Sequence, residues 1–123
     1  MNIKKNKLFI LVVLIIFVLL VAGCSKLNRN TIIITNNSKY SLTNMNLKYT
    51  CLNDIIEVGT LNSKETYTYK IKEIVEDSIT IEFTDSNGNQ YSEVIVGYTT
   101  PSMNPISVSI EDNTDSTLSI NIN

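Results

Sequence analysis

The side chains that could carry out chemistry in this sequence of 123 residues are two cysteines and twelve carboxylates, and His is absent. Without His, neither a Ser-His nor a Cys-His nucleophile can form. Two carboxylates could still act as the acid and the base of a hydrolase. Six are available for such a pair: Glu57, Glu65, Glu73, Glu76, Asp77 and Glu82. Glu82, however, lies between Ile81 and Phe83 in an alternating segment, which predicts a solvated side chain. We therefore predict no catalytic residue and no enzyme.

Two acidic turns have the residue types of a calcium site. Asp85 is followed by Asn87 and Asn89, and Glu111-Asp112 is followed by Asp115. The first turn lacks the spacing and the distal Glu of a calcium-binding loop. Because Asp and Asn are also common turn residues, turn formation explains both segments. The sequence predicts no metal site and no cofactor.

The first cysteine, Cys24, ends an N-terminal segment with the features of a targeting signal. Three lysines within the first seven residues precede an apolar run over residues 8–22, and Gly23-Cys24 follows directly. A charged start, an apolar run and small residues at the end make a secretory signal. With Cys at this position, the segment resembles the signal of bacterial lipoproteins. The resemblance implies that the Cys24 sulfur takes a diacylglyceryl group and that the chain is cut between Gly23 and Cys24.

An uncleaved transmembrane anchor is the alternative for this segment. Fifteen apolar residues would rise about 22 Å as a helix, whereas the hydrocarbon core of a bilayer is about 30 Å thick. The length therefore favours the lipoprotein signal. The expected organisation is a signal peptide over residues 1–23, a lipidated tether over residues 24–30 and one domain over residues 31–123. The expected location is the extracytoplasmic face of the cell membrane, with the membrane bound through Cys24.

Charge and size limit what the exported part can do. Seven basic and twelve acidic residues follow position 24, a net charge of −5. This excludes the basic surface that binds nucleic acid, and repulsion from anionic lipids predicts a domain that stands off the membrane on its tether. About 100 residues suit a single domain. A composition rich in Ile, Asn, Lys, Ser and Thr is typical of Gram-positive bacteria with AT-rich genomes.

Cys51 has no intramolecular partner if Cys24 is lipidated. Met45, Leu47 and Tyr49 alternate with polar residues just before it, which predicts Cys51 on the apolar face of a strand. A reactive thiol is the alternative, but no His is present to lower its pKa.

Alternation of apolar and polar residues recurs along the rest of the chain and predicts strands. The alternating segments are residues 45–51, 67–72, 79–83, 106–110 and 118–122; residues 31–35 are a β-branched run, and residues 91–98 carry a denser apolar block. The apolar block Val94-Ile95-Val96 predicts a central strand, with Gly97 at a bulge or a close backbone approach. Asn87-Gly88 predicts a type I′ hairpin turn that pairs Phe83-Thr84 with Gln90-Tyr91.

About seven or eight short strands predict an all-β fold, an immunoglobulin-like antiparallel sandwich after a cleaved signal helix. A small barrel is the alternative. The order of turns and strands from Ile56, through the hairpin, to Gly97-Tyr98 and Ile110 resembles that of small Gram-positive extracytoplasmic β-sandwich proteins. This resemblance implies no activity and transfers no functional residue.

The loop that follows the sixth predicted strand is the expected partner-binding segment. It contains Tyr98, Pro101, Met103 and Pro105, and its prolines reduce the entropy lost on binding. The structural alternative is that Tyr98 closes the core and the prolines end strands. A free strand edge could also recruit a partner, although Lys70 and Lys72 could prevent such pairing.

These features predict a lipid-anchored binding module that contacts an envelope or secreted protein. The alternative is an immunity-type lipoprotein that neutralises a toxin, for which an anionic surface facing a basic partner is useful.

Overall fold

The computed structural model describes residues 6–17, 29–72 and 76–123 of the chain. Residues 6–17 form a helix with exposed apolar side chains. Within the described ranges, no helix is both long enough and apolar enough to cross a membrane. Eight strands follow: β1 Thr31–Asn36, β2 Leu42–Tyr49, β3 Ile55–Leu61, β4 Thr66–Lys70, β5 Ile79–Thr84, β6 Gln90–Val96, β7 Ile106–Asp112 and β8 Leu118–Ile122.

The strands form two four-stranded sheets, which confirms the predicted all-β sandwich. Sheet A has the order β4-β1-β7-β8 and sheet B the order β3-β2-β5-β6. Because a barrel is a single sheet closed on itself, two open sheets exclude the small barrel. Neighbouring strands are antiparallel except for β1 and β7, which run parallel with Ile32 opposite Ile106. The prediction of a purely antiparallel sandwich did not contain this pair.

The inner faces of both sheets supply the core. Its buried side chains are Ile32, Ile34, Leu42, Met45, Leu47, Tyr49, Leu61, Tyr69, Ile71, Ile79, Ile81, Phe83, Ile95, Val96, Val108, Ile110 and Leu118. Each large apolar side chain contributes about 1.5–3 kcal/mol by leaving water. The hydroxyls of Tyr49 in sheet B and Tyr69 in sheet A lie 3.0 Å apart and join the sheets by a buried hydrogen bond.

A buried amide closes the core where β1 ends. The Asn36 side chain is fully buried, and its Nδ2 donates to the carbonyl oxygens of Tyr40 at 2.8 Å and Leu61 at 3.0 Å. Its Oδ1 accepts from the backbone N–H of Ser38 at 3.0 Å and the Ser38 hydroxyl at 2.6 Å. Both polar atoms of the amide are therefore satisfied inside the protein.

Strand β6 is an edge strand, and the predicted central position is wrong. Val94 is 52% exposed, whereas Ile95 and Val96 are both buried. The register explains this burial, since Thr80 lies opposite Val94 and Ile79 opposite Val96. Ile95 is thus the extra residue of a β-bulge, which turns two consecutive side chains inward. Gly97 is not the bulged residue, and a Cβ added there meets open space, so no close backbone approach requires the glycine.

The predicted hairpin between β5 and β6 is confirmed, with a different turn. Phe83 pairs with Tyr91 as expected, and their rings stack with centroids 5.0 Å apart. The Asp85 N–H donates to the Asn89 carbonyl at 2.9 Å, so the loop has three residues. Gly88 has φ 81°, and Asn87 is not among the residues with positive φ. This is a three-residue loop with one left-handed residue rather than a type I′ turn.

The chain direction gives the sandwich two distinct ends. The strand registers place the first residue of every odd-numbered strand and the last residue of every even-numbered strand on the same side of the sandwich. Residues 29–30 lie on that side. We name this the N-terminal end; its connecting segments include residues 50–54, 76–78 and 97–105. The opposite or far end contains residues 37–41, 62–65, 85–89 and 113–117.

Candidate binding surfaces

Asp77 organises the N-terminal end. Its side chain is 3% exposed, and its carboxylate accepts hydrogen bonds from the backbone N–H groups of Cys51 at 2.8 Å, Leu52 at 3.0 Å and Ser78 at 2.7 Å. The turn that follows β2 leaves the N–H groups of Cys51 and Leu52 without a strand partner, and the carboxylate satisfies them. The backbone of Asp77 makes two further hydrogen bonds with Thr99. The Asp77 N–H donates to the Thr99 hydroxyl at 3.0 Å, and the Thr99 N–H donates to the Asp77 carbonyl at 2.7 Å. Asp77 therefore joins the segments that follow β2 and β6.

Cys51 lies in this turn, and its predicted place on the apolar face of a strand is wrong. Strand β2 ends at Tyr49, and Cys51 is exposed. The alternating sequence pattern continues past the end of the strand into a turn, whose backbone N–H groups donate to the Asp77 carboxylate. A hydrogen bond from the thiol to Asp77, together with the charge of that carboxylate, raises the pKa of Cys51. Because the thiolate is the nucleophile, this environment disfavours reactivity.

Three of the four residues of the predicted binding loop are exposed, and the fourth, Met103, is half-buried. Tyr98 is 56% exposed and does not close the core; a hydrogen bond with Glu76 raises its pKa. Met103 is half-buried against the core. Its N–H donates to Asn30 Oδ1 at 2.7 Å, and its carbonyl accepts from the Asn30 N–H at 3.0 Å. Pro101 and Pro105 are exposed.

The predicted lipidation site, Cys24, and the cleavage residue Gly23 lie outside the described residues. Asn30, the last residue of the predicted tether, is described and is bonded into the sandwich. Besides its contacts with Met103, its carbonyl accepts from the N–H of Ile71 at 2.8 Å.

The outer face of sheet B carries a polar groove that loop-based reasoning missed. In the strand register, Asn46 of β2 lies between Glu57 of β3 and Glu82 of β5, with Ser92 of β6 beyond Glu82. A depression of about 490 Å³ is lined by Asn44, Asn46, Glu82, Phe83, Thr84, Gln90, Tyr91 and Ser92. A second, of about 360 Å³, is lined by Asn44, Met45, Asn46, Ile55, Glu57 and Gly59. Asn44 and Asn46 line both, and we name the two adjoining depressions together the Asn46 groove.

Asn46, which lines both depressions, has an unused hydrogen-bond acceptor. Its Oδ1 is buried and has no hydrogen-bond partner among the described residues, and its Nδ2 reaches only the Asn44 carbonyl, at 3.4 Å. Asn44 has φ 51° at an irregularity of the β2 register. A buried acceptor without a partner is unfavourable, which makes Asn46 an unusual residue in this sheet.

The acidic turns at the far end are already occupied by donors from the protein. The Asp85 carboxylate accepts from the N–H groups of Asn87 and Asn89, both at 2.9 Å, from Asn89 Nδ2 at 3.1 Å and from the Tyr91 hydroxyl at 3.2 Å. The same hydroxyl accepts from the Leu118 N–H at 3.1 Å and so links the two sheets. In the other turn, Asp112 accepts from the Lys39 N–H at 2.9 Å. Both carboxylates thus act as turn caps.

Asp77 and Asp85 predict that stability falls in acid. Burial raises the pKa of each carboxyl, but hydrogen bonds outweigh this effect and the net shift is downward. The bonds come from Cys51, Leu52 and Ser78 to Asp77, and mainly from Asn89 to Asp85. A pKa lowered on folding stabilises the native state above the unfolded value, about 3.9, and this stabilisation is lost as pH falls through the folded value. We expect the melting temperature to fall steeply below about pH 4.

Thermal melts over an acidic pH series measure this effect. Asp77→Asn is expected to lower the melting temperature at neutral pH and to flatten its dependence on acid, because one carboxylate no longer titrates. Asp54→Asn, at an exposed carboxylate of the same end, is the matched control for the loss of one charge and should leave the melting temperature at neutral pH close to that of wild type. Equal slopes for wild type and Asp77→Asn contradict the assignment.

The fold defines this chain as a two-sheet β-sandwich with a polar groove on one outer face. An NMR structure of a protein from Eubacterium rectale is similar, with a TM-score of 0.58 over 77% of this chain and 88% of that chain. The two sequences are 14% identical, so the likeness concerns the fold. The sequence matches no protein-family model and no curated protein.

Proposed function

We propose that this protein is a lipid-anchored binding module on the extracytoplasmic face of the cell membrane, and that it binds a protein partner without catalysing a reaction. The lipoprotein-like signal ending at Cys24 supports the anchor. The observation that carries the binding role is the Asn46 groove itself, whose shared lining residue Asn46 has a side-chain oxygen without a hydrogen-bond partner among the described residues. A binding site is a concavity with a few polar groups placed to fix a ligand, and this groove has that form.

The lining of the groove indicates what the partner presents. Carboxylates of Glu57 and Glu82 flank the acceptor of Asn46 in the register of the sheet. Carboxylates accept hydrogen bonds only, and they pair favourably with Lys and Arg. The groove therefore fits a partner segment that donates hydrogen bonds and carries positive charge.

An immunity role is the second candidate, and the same carboxylates favour it. A toxin with a basic surface would be attracted by the net charge of −5 that follows residue 24 and would meet Glu57 and Glu82 on the exposed sheet face. Electrostatic complementarity of this kind speeds association and excludes partners of the same charge. The two roles differ in the partner, which is a resident envelope protein in one case and a secreted toxin in the other.

Affinity capture with the detergent-solubilised lipidated chain tests the proposal. Envelope and secreted fractions of the source organism are passed over wild type and over a Glu57→Gln, Glu82→Gln double variant, and bound proteins are identified by mass spectrometry. We expect one saturable partner whose affinity for the double variant is about tenfold weaker, equivalent to about 1.4 kcal/mol. The partner's origin separates the adaptor from the immunity role.

Glu93→Gln is the matched control, because Glu93 is an exposed carboxylate on β6 of the same sheet but lies outside the groove lining. It should bind like wild type. Undiminished binding by the double variant removes the Asn46 groove from the proposal, and the absence of any saturable partner removes the binding role.

A further inference from the structure

Exposed apolar side chains of the sandwich are confined to its N-terminal half. Among the described residues from 29 onward, the exposed large hydrophobic side chains are Leu52, Ile55, Val94, Tyr98 and Ile122. Leu52 and Tyr98 lie in the connections at the N-terminal end, and Ile55 begins β3 there. Val94 pairs with the second residue of β5, and Ile122 pairs with Val108 near the start of β7. Single exposed apolar residues are ordinary, but their collection at one end indicates a contact surface.

The N-terminal end is also where the proposed anchor joins the domain. Asn30 is fixed there by its hydrogen bonds to Met103 and Ile71. Cys24 and Asn30 are six residues apart in the sequence, and a chain of that length spans at most about 22 Å when fully extended. A strand of seven residues has a similar length, about 23 Å. The anchor can therefore keep the N-terminal end close to lipid, while the far end points outward.

Charged residues are distributed unequally between the two ends. Those described at the N-terminal end are Arg29, Lys48, Lys70 and Lys72 with Asp54, Glu76 and the buried Asp77, whereas those at the far end are Lys39 and Lys64 with Glu65, Asp85, Glu111, Asp112 and Asp115. The net charge of the exported part predicts repulsion from anionic lipid. The described excess negative charge lies at the far end and, through Glu57, Glu82 and Glu93, along the strands of sheet B, rather than at the N-terminal end. The N-terminal end is thus the one that an anionic bilayer repels least.

We propose that the N-terminal end of the sandwich rests on the bilayer interface, with Tyr98, Leu52 and Ile55 in contact with lipid headgroups. This inference rests on the proposed lipid anchor and deepens it, because it assigns an orientation to the tethered domain. Tyr side chains favour the membrane interface, where the ring meets apolar groups and the hydroxyl meets water. The partner of this surface is the host bilayer, and the Asn46 groove on the side of the sandwich stays open to proteins.

Single-tryptophan variants test the orientation directly, because the natural sequence contains no Trp. The full lipidated chain is prepared as Tyr98→Trp and, for the far end, as Tyr40→Trp. Each is reconstituted into vesicles of equal parts phosphatidylglycerol and phosphatidylcholine, with and without brominated acyl chains. We expect the Tyr98→Trp emission to shift to shorter wavelength on reconstitution and to lose intensity with brominated lipid. The Tyr40→Trp emission should show neither change.

A third variant separates contact with lipid from anchoring. Leu52→Asp with Ile55→Asp, added to Tyr98→Trp, should reduce the quenching by brominated lipid while the protein still floats with the vesicles. Equal quenching of the two tryptophans, or stronger quenching at position 40, overturns the orientation and leaves the anchor intact. A chain that does not float with the vesicles overturns the anchor and the orientation together. A misfolded variant is recognised by its circular dichroism, and Leu52→Ser with Ile55→Ser then replaces the aspartate pair.

Discussion

Replacing Cys24 by Ser is expected to abolish the incorporation of a labelled fatty acid such as palmitate and to leave residues 1–23 attached to the chain. The resemblance to lipoprotein signals implies a thioether between the Cys24 sulfur and a diacylglyceryl group, followed by cleavage before that residue. A serine hydroxyl is a much weaker nucleophile than a thiolate, so the modification and the cleavage that depends on it should both be lost. Metabolic labelling and the intact mass of the membrane-bound protein measure the two effects.

Cys51→Ser is the control for this experiment. Cys51 is the other cysteine of the chain and is exposed, so any nonspecific acylation of thiols would reach it. The variant should be labelled and cleaved like wild type. Continued labelling of Cys24→Ser contradicts the lipoprotein assignment, and cleavage without labelling of the wild type indicates an ordinary secretory signal.

Replacing Asn36 by Leu is expected to lower the free energy of unfolding by about 3 kcal/mol. The two side chains have similar size, so the change chiefly removes hydrogen bonds. The carbonyls of Tyr40 and Leu61 lose the donor Nδ2, and Ser38 loses the acceptor Oδ1. A buried polar group left without a partner costs about 1–3 kcal/mol. Urea titration followed by circular dichroism measures the change in free energy.

Asn37→Leu is the matched control, since Asn37 is the next residue along the chain and is exposed. Its Nδ2 donates to the Ser109 hydroxyl at the surface, where water replaces a lost bond, and the expected change is within about 0.5 kcal/mol. If the two variants lose similar free energy of unfolding, the buried amide of Asn36 contributes no more to stability than the exposed amide of Asn37.

The parts of the fold that depend on local patterns were predictable from sequence. Alternation identifies the inward residues of β2 and β5, and Asn87-Gly88 identifies the hairpin that aligns Phe83 with Tyr91. Strand β3 escaped the alternation search, because Ile55 and Ile56 are adjacent apolar residues and only Ile56 packs against the core. The parallel pairing of β1 with β7 also escaped it, since no local pattern specifies which distant strand becomes a neighbour.

The candidate sites depend on contacts between distant parts of the chain. Cys51 was misplaced because its backbone N–H is held by Asp77, 26 residues later in the sequence. The Asn46 groove requires three strands in register, which brings Glu57 and Glu82 to either side of Asn46. The alternation of residues around Glu82 predicts that its side chain faces solvent, and this prediction was the available sequence signal for the groove. The unpartnered amide oxygen is a property of packing that sequence does not express.

The parallel pairing of β1 with β7 has a consequence for how the chain acquires its fold. Thr31–Asn36 is an uncharged segment with five β-branched residues in succession, a composition that favours intermolecular association when left unpaired. Its neighbours in sheet A are β4 and β7, and β7 begins only at Ile106. Contacts between such distant residues form slowly. Under the proposed export, with the N-terminus first, this strand crosses the membrane early and the strand that covers it crosses near the end. We therefore expect the folding yield to depend on how quickly the last residues cross the membrane.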